Sequence, residues 1–244
     1  TTRRTVGDDA DPYLKRLDEL DLSRKYVRRV SDSFTAQAFI TTDLDDNQIT
    51  AFHPGAMSFS HHNRVSDAAE ATLAIVSPDG RDGMLQHARD LADVGVPFIF
   101  DPGQGMPMFS GDELLQFMRL ATYACFNDYE AKLLSDRTGL SPERLASEVQ
   151  ALIVTLGGEG SRIYADGGCF DIPAAPVEQL IDPTGCGDAY RAGLLYGIAA
   201  GWDWPKTGRL AAVMGAIKIA HRGGQNHRPD RRDRHRAPLR VHRV

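Results

Sequence analysis

Cysteine is scarce in this 244-residue chain, and Cys125, Cys169 and Cys186 are too widely spaced for a CxxC pair or a zinc-ligand pattern. That excludes a disulfide-stapled scaffold and a zinc module. It points to a reducing compartment, with the cytoplasm as the expected location. Long apolar runs are also missing. No stretch approaches the ~18–20 residues a membrane helix needs, so no membrane partner is expected. Thr1-Thr2-Arg3-Arg4-Thr5 has no apolar segment behind it, so no secretory signal is expected there. Internal repeats are absent, and the sole biased segment is an Arg-rich end. The remainder is ordinary for a globular protein, 42% hydrophobic and 25% charged, which excludes wholesale disorder and collagen-like repetition. The length suits one large α/β domain, or one domain with a small appendage.

The net charge of −5 conceals an asymmetry. Residues 221–244 hold eight Arg and four His against two Asp, leaving a body with a net charge of −11. A basic tail can bind nucleic acid or anionic lipid. This one lacks interleaved aromatics and apolar periodicity, so a solvated, disordered extension over 228–244 is expected instead of nucleic-acid binding.

Leu14, Leu17 and their neighbours suggest a short helix within 8–22. Phe34–Thr42 and Gln48–Phe52, separated by Asp43-Leu44-Asp45-Asp46-Asn47, read as an antiparallel hairpin. Pro54–Asn63 reads as a loop. From residue 70 strands and helices alternate: strand Thr72–Val76, helix Arg81–Val94, strand Val96–Phe100, helix Asp112–Leu120 and strand Tyr123–Phe126. A helix capped by Asp128 follows, then helix Pro142–Val149 and strand Leu152–Leu156. Two β runs near Ser161–Ala165 and Cys169–Ile172 precede long helices over Cys186–Ala200 and Pro205–His221. Such alternation predicts a parallel sheet with helices on both faces and ligands beyond the carboxyl ends of its strands. The informative loops are then 101–105, 127–130 and 157–160. The expected organisation is a core of 1–33 and 58–227, with a β-hairpin lid over 34–57.

The stretch Asp182-Pro183-Thr184-Gly185-Cys186-Gly187-Asp188 carries the chemistry. A glycine turn running into an apolar helix aims backbone N–H groups into one space, and the helix terminus adds partial positive charge. Together they suit a phosphate. A carboxylate there, Asp188, repels phosphate unless it takes a proton from an attacking hydroxyl. Alone, Asn127-x-x-Glu130 more often marks a capped helix start. Thr155-Leu156-Gly157-x-x-Gly160 more often marks a strand ending in a turn. Their order and company with 182–188 give them weight.

These motifs, with Ala189-Tyr190-Arg191-Ala192-Gly193 and Val6-Gly7-Asp8-Asp9, resemble the ribokinase-like (PfkB) sugar and nucleoside kinases over residues 6–227. Pro183 and Cys186 are variations on that family's usual signature. The resemblance implies a three-layer α/β/α sandwich with a small β lid. It implies Asp188 as base, with the N–H groups of Gly185, Cys186 and Gly187 as the anion hole. It implies Asn127, Thr155, Gly157, Gly160, Gly224 and Gln225 at the nucleotide, and Glu130 holding Mg²⁺ through water. Asp182 and the loop before Gln225 are implied at a monovalent cation such as K⁺. Phosphoryl transfer is mostly positioning and charge neutralisation, and Mg²⁺ keeps several waters, so one carboxylate suffices.

The lid sequence, with Gln48, Phe52 and Met57, and Gly223-Gly224-Gln225-Asn226-His227 look like those of adenosine-kinase-like members and prokaryotic nucleoside kinases. The expected reaction is transfer from ATP to the 5′-hydroxyl of an adenosine-like nucleoside, by a protein expected to pair as a homodimer. The alternatives are a sugar kinase acting on ribose or fructose, and a nucleotide-binding protein with little turnover. The last is raised because family segments that normally precede Thr1 have no counterpart, which predicts exposed apolar surface. Four smaller expectations remain. Cys186, at a helix N-terminus, is expected to have a lowered thiol pKa. Asp101 either approaches phosphate or forms a turn before Pro102. His61 and His62 are expected to be solvated, and Trp202 and Trp204 to anchor a helix–helix turn.

Overall fold

The computed structural model describes residues 4–42, 48–68, 70–177 and 179–228. The hairpin turn over 43–47 and the basic tail beyond 228 lie outside the described residues, as do the side chains of Thr42 and Gln48. The chain divides into two compact units, residues 1–97 with 104–109, and residues 98–103 with 110–244. The hairpin falls within the first of these units, together with 1–33 and 58–97.

In the first unit β1 (Arg4–Val6) pairs in parallel with β2 (Val27–Arg29) across α1 (Asp11–Glu19). Sequence pattern alone did not suggest these short strands. β3 (Gln37–Thr42) and β4 (Gln48–His53) form the expected antiparallel hairpin, with Phe39 opposite Ala51 and Ala38 opposite Phe52. Asp9 pins its entrance. The carboxylate accepts Thr35 N–H at 2.7 Å, Thr35 Oγ1–H at 2.8 Å and the Gln37 side-chain amide at 3.2 Å. Residues 54–63 are not an open loop: Gly55–His62 is a 3-10 helix that buries Ala56 and Ser60. β5 (Ala74–Val76) and α2 (Arg81–Asp93) complete the unit, with Met84, Ala88 and Leu91 buried on one face of α2. Apolar side chains are exposed at Phe34, Phe39, Ile40, Ile49 and Phe52.

In the second unit the sheet order is β10 (Gly168–Ile172), β9 (Ser161–Ala165), β8 (Ala151–Thr155), β7 (Tyr123–Asn127), β6 (Phe98–Phe100). β6, β7 and β8 are parallel, while β9 and β10 return antiparallel. Alternation sends successive side chains to opposite faces. On one face Phe100 stacks on Phe117 of α3 (Gly111–Leu120) at 4.5 Å and meets Phe126 edge-on. On the other, Ser161 Oγ and the Tyr190 hydroxyl of α6 (Cys186–Ala199) lie 2.7 Å apart. Ile163 and Ile172 on that face pack where Gly208 of α7 (Trp204–Ile219) leaves room. Helices thus cover both faces, giving the expected α/β/α layering. α6 and α7 pack closely because Gly193 has no Cβ, and one there would sit 2.5 Å from Ala211 Cα. Trp202 and Trp204 anchor the turn between them. Tyr196 and Tyr123 meet the two indoles edge-on, and Lys206 Nζ lies 3.8 Å from the Trp202 ring centre.

Local capping explains where these helices start. Ser110 and Glu113 form a capping box on α3, and Asn127 and Glu130 form another on α4 (Asp128–Thr138). Asn127, not Asp128, is therefore the cap of α4. Ser141 caps α5 (Pro142–Ala146), which is shorter than its sequence suggested, and Asp203 caps α7. α6 differs from these four. Its N-cap is Gly185, in the left-handed region at φ 82°, and no side chain caps it.

Candidate active site

The uncapped start of α6 is the centre of the site. A helix's first amides have no intrahelical partners, so they need a side chain, water or ligand. Cys186 N–H is the exception, donating to Pro183 O at 3.1 Å to close the turn. This leaves the Gly185 and Gly187 amides as the clearer candidates from the expected trio. Gly185 must be glycine for its positive φ. A Cβ there would also lie 3.3 Å from Gly224 Cα and 3.7 Å from Asp188 Oδ2. Gly185, Gly224 and the exposed Asp188 carboxylate therefore converge.

The parallel strands bring further groups to their carboxyl ends. Asn127 and Thr155 are direct register partners at the ends of β7 and β8. Thr155 Oγ1 donates to Phe126 O at 3.4 Å. The next turn, Gly157–Glu159, is a short 3-10 helix closed by Leu156 N–H to Gly160 O at 2.8 Å. Gln225 is exposed beside Gly224 in sequence. The lid residues belong to the other unit, where Phe52 is exposed and Met57 half-buried.

A buried ion pair was not legible beforehand. Asp101, which ends β6, is neither a phosphate ligand nor a simple turn former. It binds Arg191 of α6 through two contacts, Nε to Oδ2 at 2.5 Å and Nη2 to Oδ1 at 2.6 Å. Arg191 Nη1 also donates to Gly187 O at 3.3 Å, and Nη2 lies 4.0 Å from Glu130 Oε2. One guanidinium thus ties strand β6, the start of α4 and the first turn of α6. The signal in the sequence was a lone Arg inside an otherwise apolar helix segment, 192–199 following it.

Electrostatics at this knot favour a cation. Two buried carboxylates face one guanidinium, so one negative charge is uncompensated. Burial raises the Glu130 carboxyl above its usual range, against the Asn127 N–H bond and Arg191. Burial likewise raises Asp101, opposed by Arg191. Glu130 Oε2 accepts Asn127 N–H at 2.8 Å within the capping box. Among the described residues no cluster of three or more ligating side chains exists. Glu130 as one hard oxygen donor, with water and phosphate supplying the rest, fits Mg²⁺.

Other expectations are revised. Cys186 Sγ lies 3.8 Å from Asp182 O, and burial pushes its thiol up, not down, against the pull of Lys218. His61 is half-buried, edge-on to His62 at 4.4 Å, with a buried Nδ1 that has no hydrogen-bond partner. Asp182, the residue expected at a monovalent cation, is engaged by donors from two segments. Its carboxylate accepts Gly223 N–H at 2.7 Å and Thr184 N–H at 2.9 Å. Its carbonyl accepts the Lys218 ammonium at 2.8 Å. Each Asp182 oxygen therefore already accepts a hydrogen bond.

A glycine turn uncapped at a helix start, a carboxylate beside it and strand-end polar groups define a phosphate-handling α/β enzyme. The chain belongs to the pfkB family of carbohydrate kinases, whose family model matches residues 4–231. It is 32% identical to the nucleoside kinase of Methanocaldococcus jannaschii over 217 residues, 89% of this chain and 70% of that protein. It is 57% identical to the nucleoside kinase of Burkholderia thailandensis, solved in complex with inosine. That match has a TM-score of 0.92 and spans 95% of this chain and 76% of the other. The ADP-inosine complex of the same protein matches with a TM-score of 0.91, at 57% identity, over 95% of this chain and 73% of the other. Among the described residues no helix is long and apolar enough to cross a membrane.

Proposed function

We propose that this kinase transfers the γ-phosphoryl group of ATP to the 5′-hydroxyl of a purine nucleoside. Asp188 accepts the hydroxyl proton, the 5′-oxygen attacks the γ-phosphorus, and the bond to the β-phosphate oxygen breaks to release ADP. The observation that carries this is the uncapped start of α6, where the Asp188 carboxylate stands over Gly185 beside Gly224. The likeness to a nucleoside kinase solved in complex with inosine supports the acceptor class. The Gly185 and Gly187 amides, with Cys186 holding the turn, stabilise charge on the transferring group in a preorganised way. Asn127, Thr155, Gly157, Gly160, Gly224 and Gln225 line the nucleotide's path. Glu130 would hold Mg²⁺ through water, and that ion, when bound, would supply charge neutralisation at the phosphates.

The test is ADP release with Mg²⁺ and, separately, inosine, adenosine, ribose and fructose. Inosine- or adenosine-dependent release is expected. Asp188→Asn should lower kcat by at least ~10³-fold while ATP affinity stays within about threefold, since the variant removes a group needed for proton transfer. Release with ribose but neither nucleoside would make this a sugar kinase. Full turnover by Asp188→Asn would remove Asp188 as the base.

A further inference from the structure

Lys218 is fully buried, and its ammonium has no carboxylate within ion-pair distance among the described residues. It sits near the end of α7 and donates to two backbone carbonyls, Asp182 O at 2.8 Å and His221 O at 3.0 Å. A buried charge persists only where groups around it replace its hydration. Here those groups are carbonyl dipoles. The carboxyl end of a helix also favours positive charge.

The surroundings are tied together at this point. Ile219 O, at the end of α7, accepts both Ile181 N–H and Asp182 N–H. His221 Nδ1 lies 2.8 Å from Ile217 O. Across the same junction the Asp182 carboxylate holds Gly223 N–H and Thr184 N–H. Asp182 is the first residue of the loop leading to Gly185, and Gly223 precedes Gly224. The two segments that meet at the start of α6 are therefore both anchored around Lys218.

We infer that Lys218 is a built-in monovalent cation, a positioning residue whose ammonium holds the 182–188 loop against the 221–224 turn in place of a bound K⁺ ion. A compact ammonium with three donors suits the paired carbonyls of Asp182 and His221. Its tether makes the local concentration of this cation independent of the medium. The protein should then be indifferent to the monovalent salt supplied, and removing the side chain should create a requirement that the parent protein lacks. This rests on the kinase reading for its activity readout alone.

The experiment compares the wild-type chain with Lys218→Ala and Lys218→Met in KCl, NH₄Cl and tetramethylammonium chloride at equal ionic strength. For the wild type, melting temperature and ADP release should be the same in all three salts. Lys218→Ala, which leaves room for an ion, should melt lower in tetramethylammonium and recover in K⁺ or NH₄⁺. Its kcat should fall at least tenfold without these ions and return with them. Lys218→Met, which fills the space without charge, should not be rescued. Crystals soaked in Rb⁺ should show an anomalous peak between Asp182 O and His221 O in Lys218→Ala and none in the wild type. A wild-type protein that needs K⁺ for its melting temperature or turnover would overturn the inference, as would a Lys218→Ala protein indifferent to every cation. Should Lys218→Ala fail to fold in all salts, the wild-type comparison and Rb⁺ soak still decide. Should no acceptor support ADP release, the functional reading fails while the melting and Rb⁺ readouts decide the cation question.

Discussion

Arg191 shows how one residue can organise a site without touching the reacting atoms. Its two charge-assisted bonds to Asp101 are of the strong, planar kind that lysine cannot reproduce. Side-chain exposures of 11% and 6% mean that neither partner is well hydrated. Removing one partner therefore leaves a buried charge uncompensated. Asp101→Ala is expected to destabilise the fold by about 3–5 kcal/mol, whereas Asp101→Leu combined with Arg191→Met should recover much of that loss. Urea denaturation of the two variants measures it. A loss below about 1 kcal/mol in Asp101→Ala would show that water reaches the pair. The Gly187 carbonyl bonded to Arg191 makes the same variant a probe of the α6 start, because that turn loses its tether to β6.

Among elements, the start of α6 and the β8–β9 turn illustrate two uses of glycine. Gly185 has a left-handed φ of 82°, and its missing side chain keeps the helix start open to a ligand. Gly160 has φ 102°, and a Cβ there would overlap the Ile172 carbonyl oxygen. Gly157, at φ 58°, has no atom within 4 Å of a built Cβ. Gly160→Ala is thus expected to cost about 2 kcal/mol or more, while Gly157→Asn, at a φ that Asn tolerates, stays within about 1 kcal/mol. Equilibrium denaturation of both variants distinguishes strain from simple loss of flexibility. Equal effects would mean that the turn relaxes around the new side chain. Ser110, Asn127, Ser141 and Asp203 cap the helices around α6 through signals within four residues, although the sequence reading named a cap only at Asp128. The choice of Asn127 over Asp128 was not readable, since both side chains can cap and backbone direction decided between them.

For the molecule as a whole, acid should reveal two opposed groups of carboxyls. Asp182 is held down to about 2 by the N–H groups of Gly223 and Thr184, and Asp9 is lowered by its bonds to Thr35. A carboxyl lowered in the fold contributes stability above its unfolded value, and that contribution is lost as pH falls toward the folded one. Asp79 and Glu130 are raised, each chiefly by burial, so protonation in mild acid relieves a cost. The urea midpoint is therefore expected to hold or rise slightly from pH 7 to about 5, then fall steeply between about 4 and 2. Asp182→Asn should be less stable at pH 7 and show a shallower fall below pH 4. A midpoint that already drops between pH 7 and 5 would contradict this balance.

The motif order, the alternation of strands and helices, and the placement of Asp188 in the first turn of a glycine-led helix were all determined by the sequence alone. Each depends on residues close together in the chain. Short-range steric and hydrogen-bonding rules therefore suffice to read Asp182–Asp188 and Asn127–Glu130. The Asp101–Arg191 pair, Lys218 on the carbonyls of Asp182 and His221, and the raised Cys186 thiol depended on tertiary structure. Their partners or burying groups are brought together by packing from distant positions, so what each charge meets is decided only when strand ends and helix ends converge. Burial then sets the cost of every unpaired charge, which no local pattern encodes.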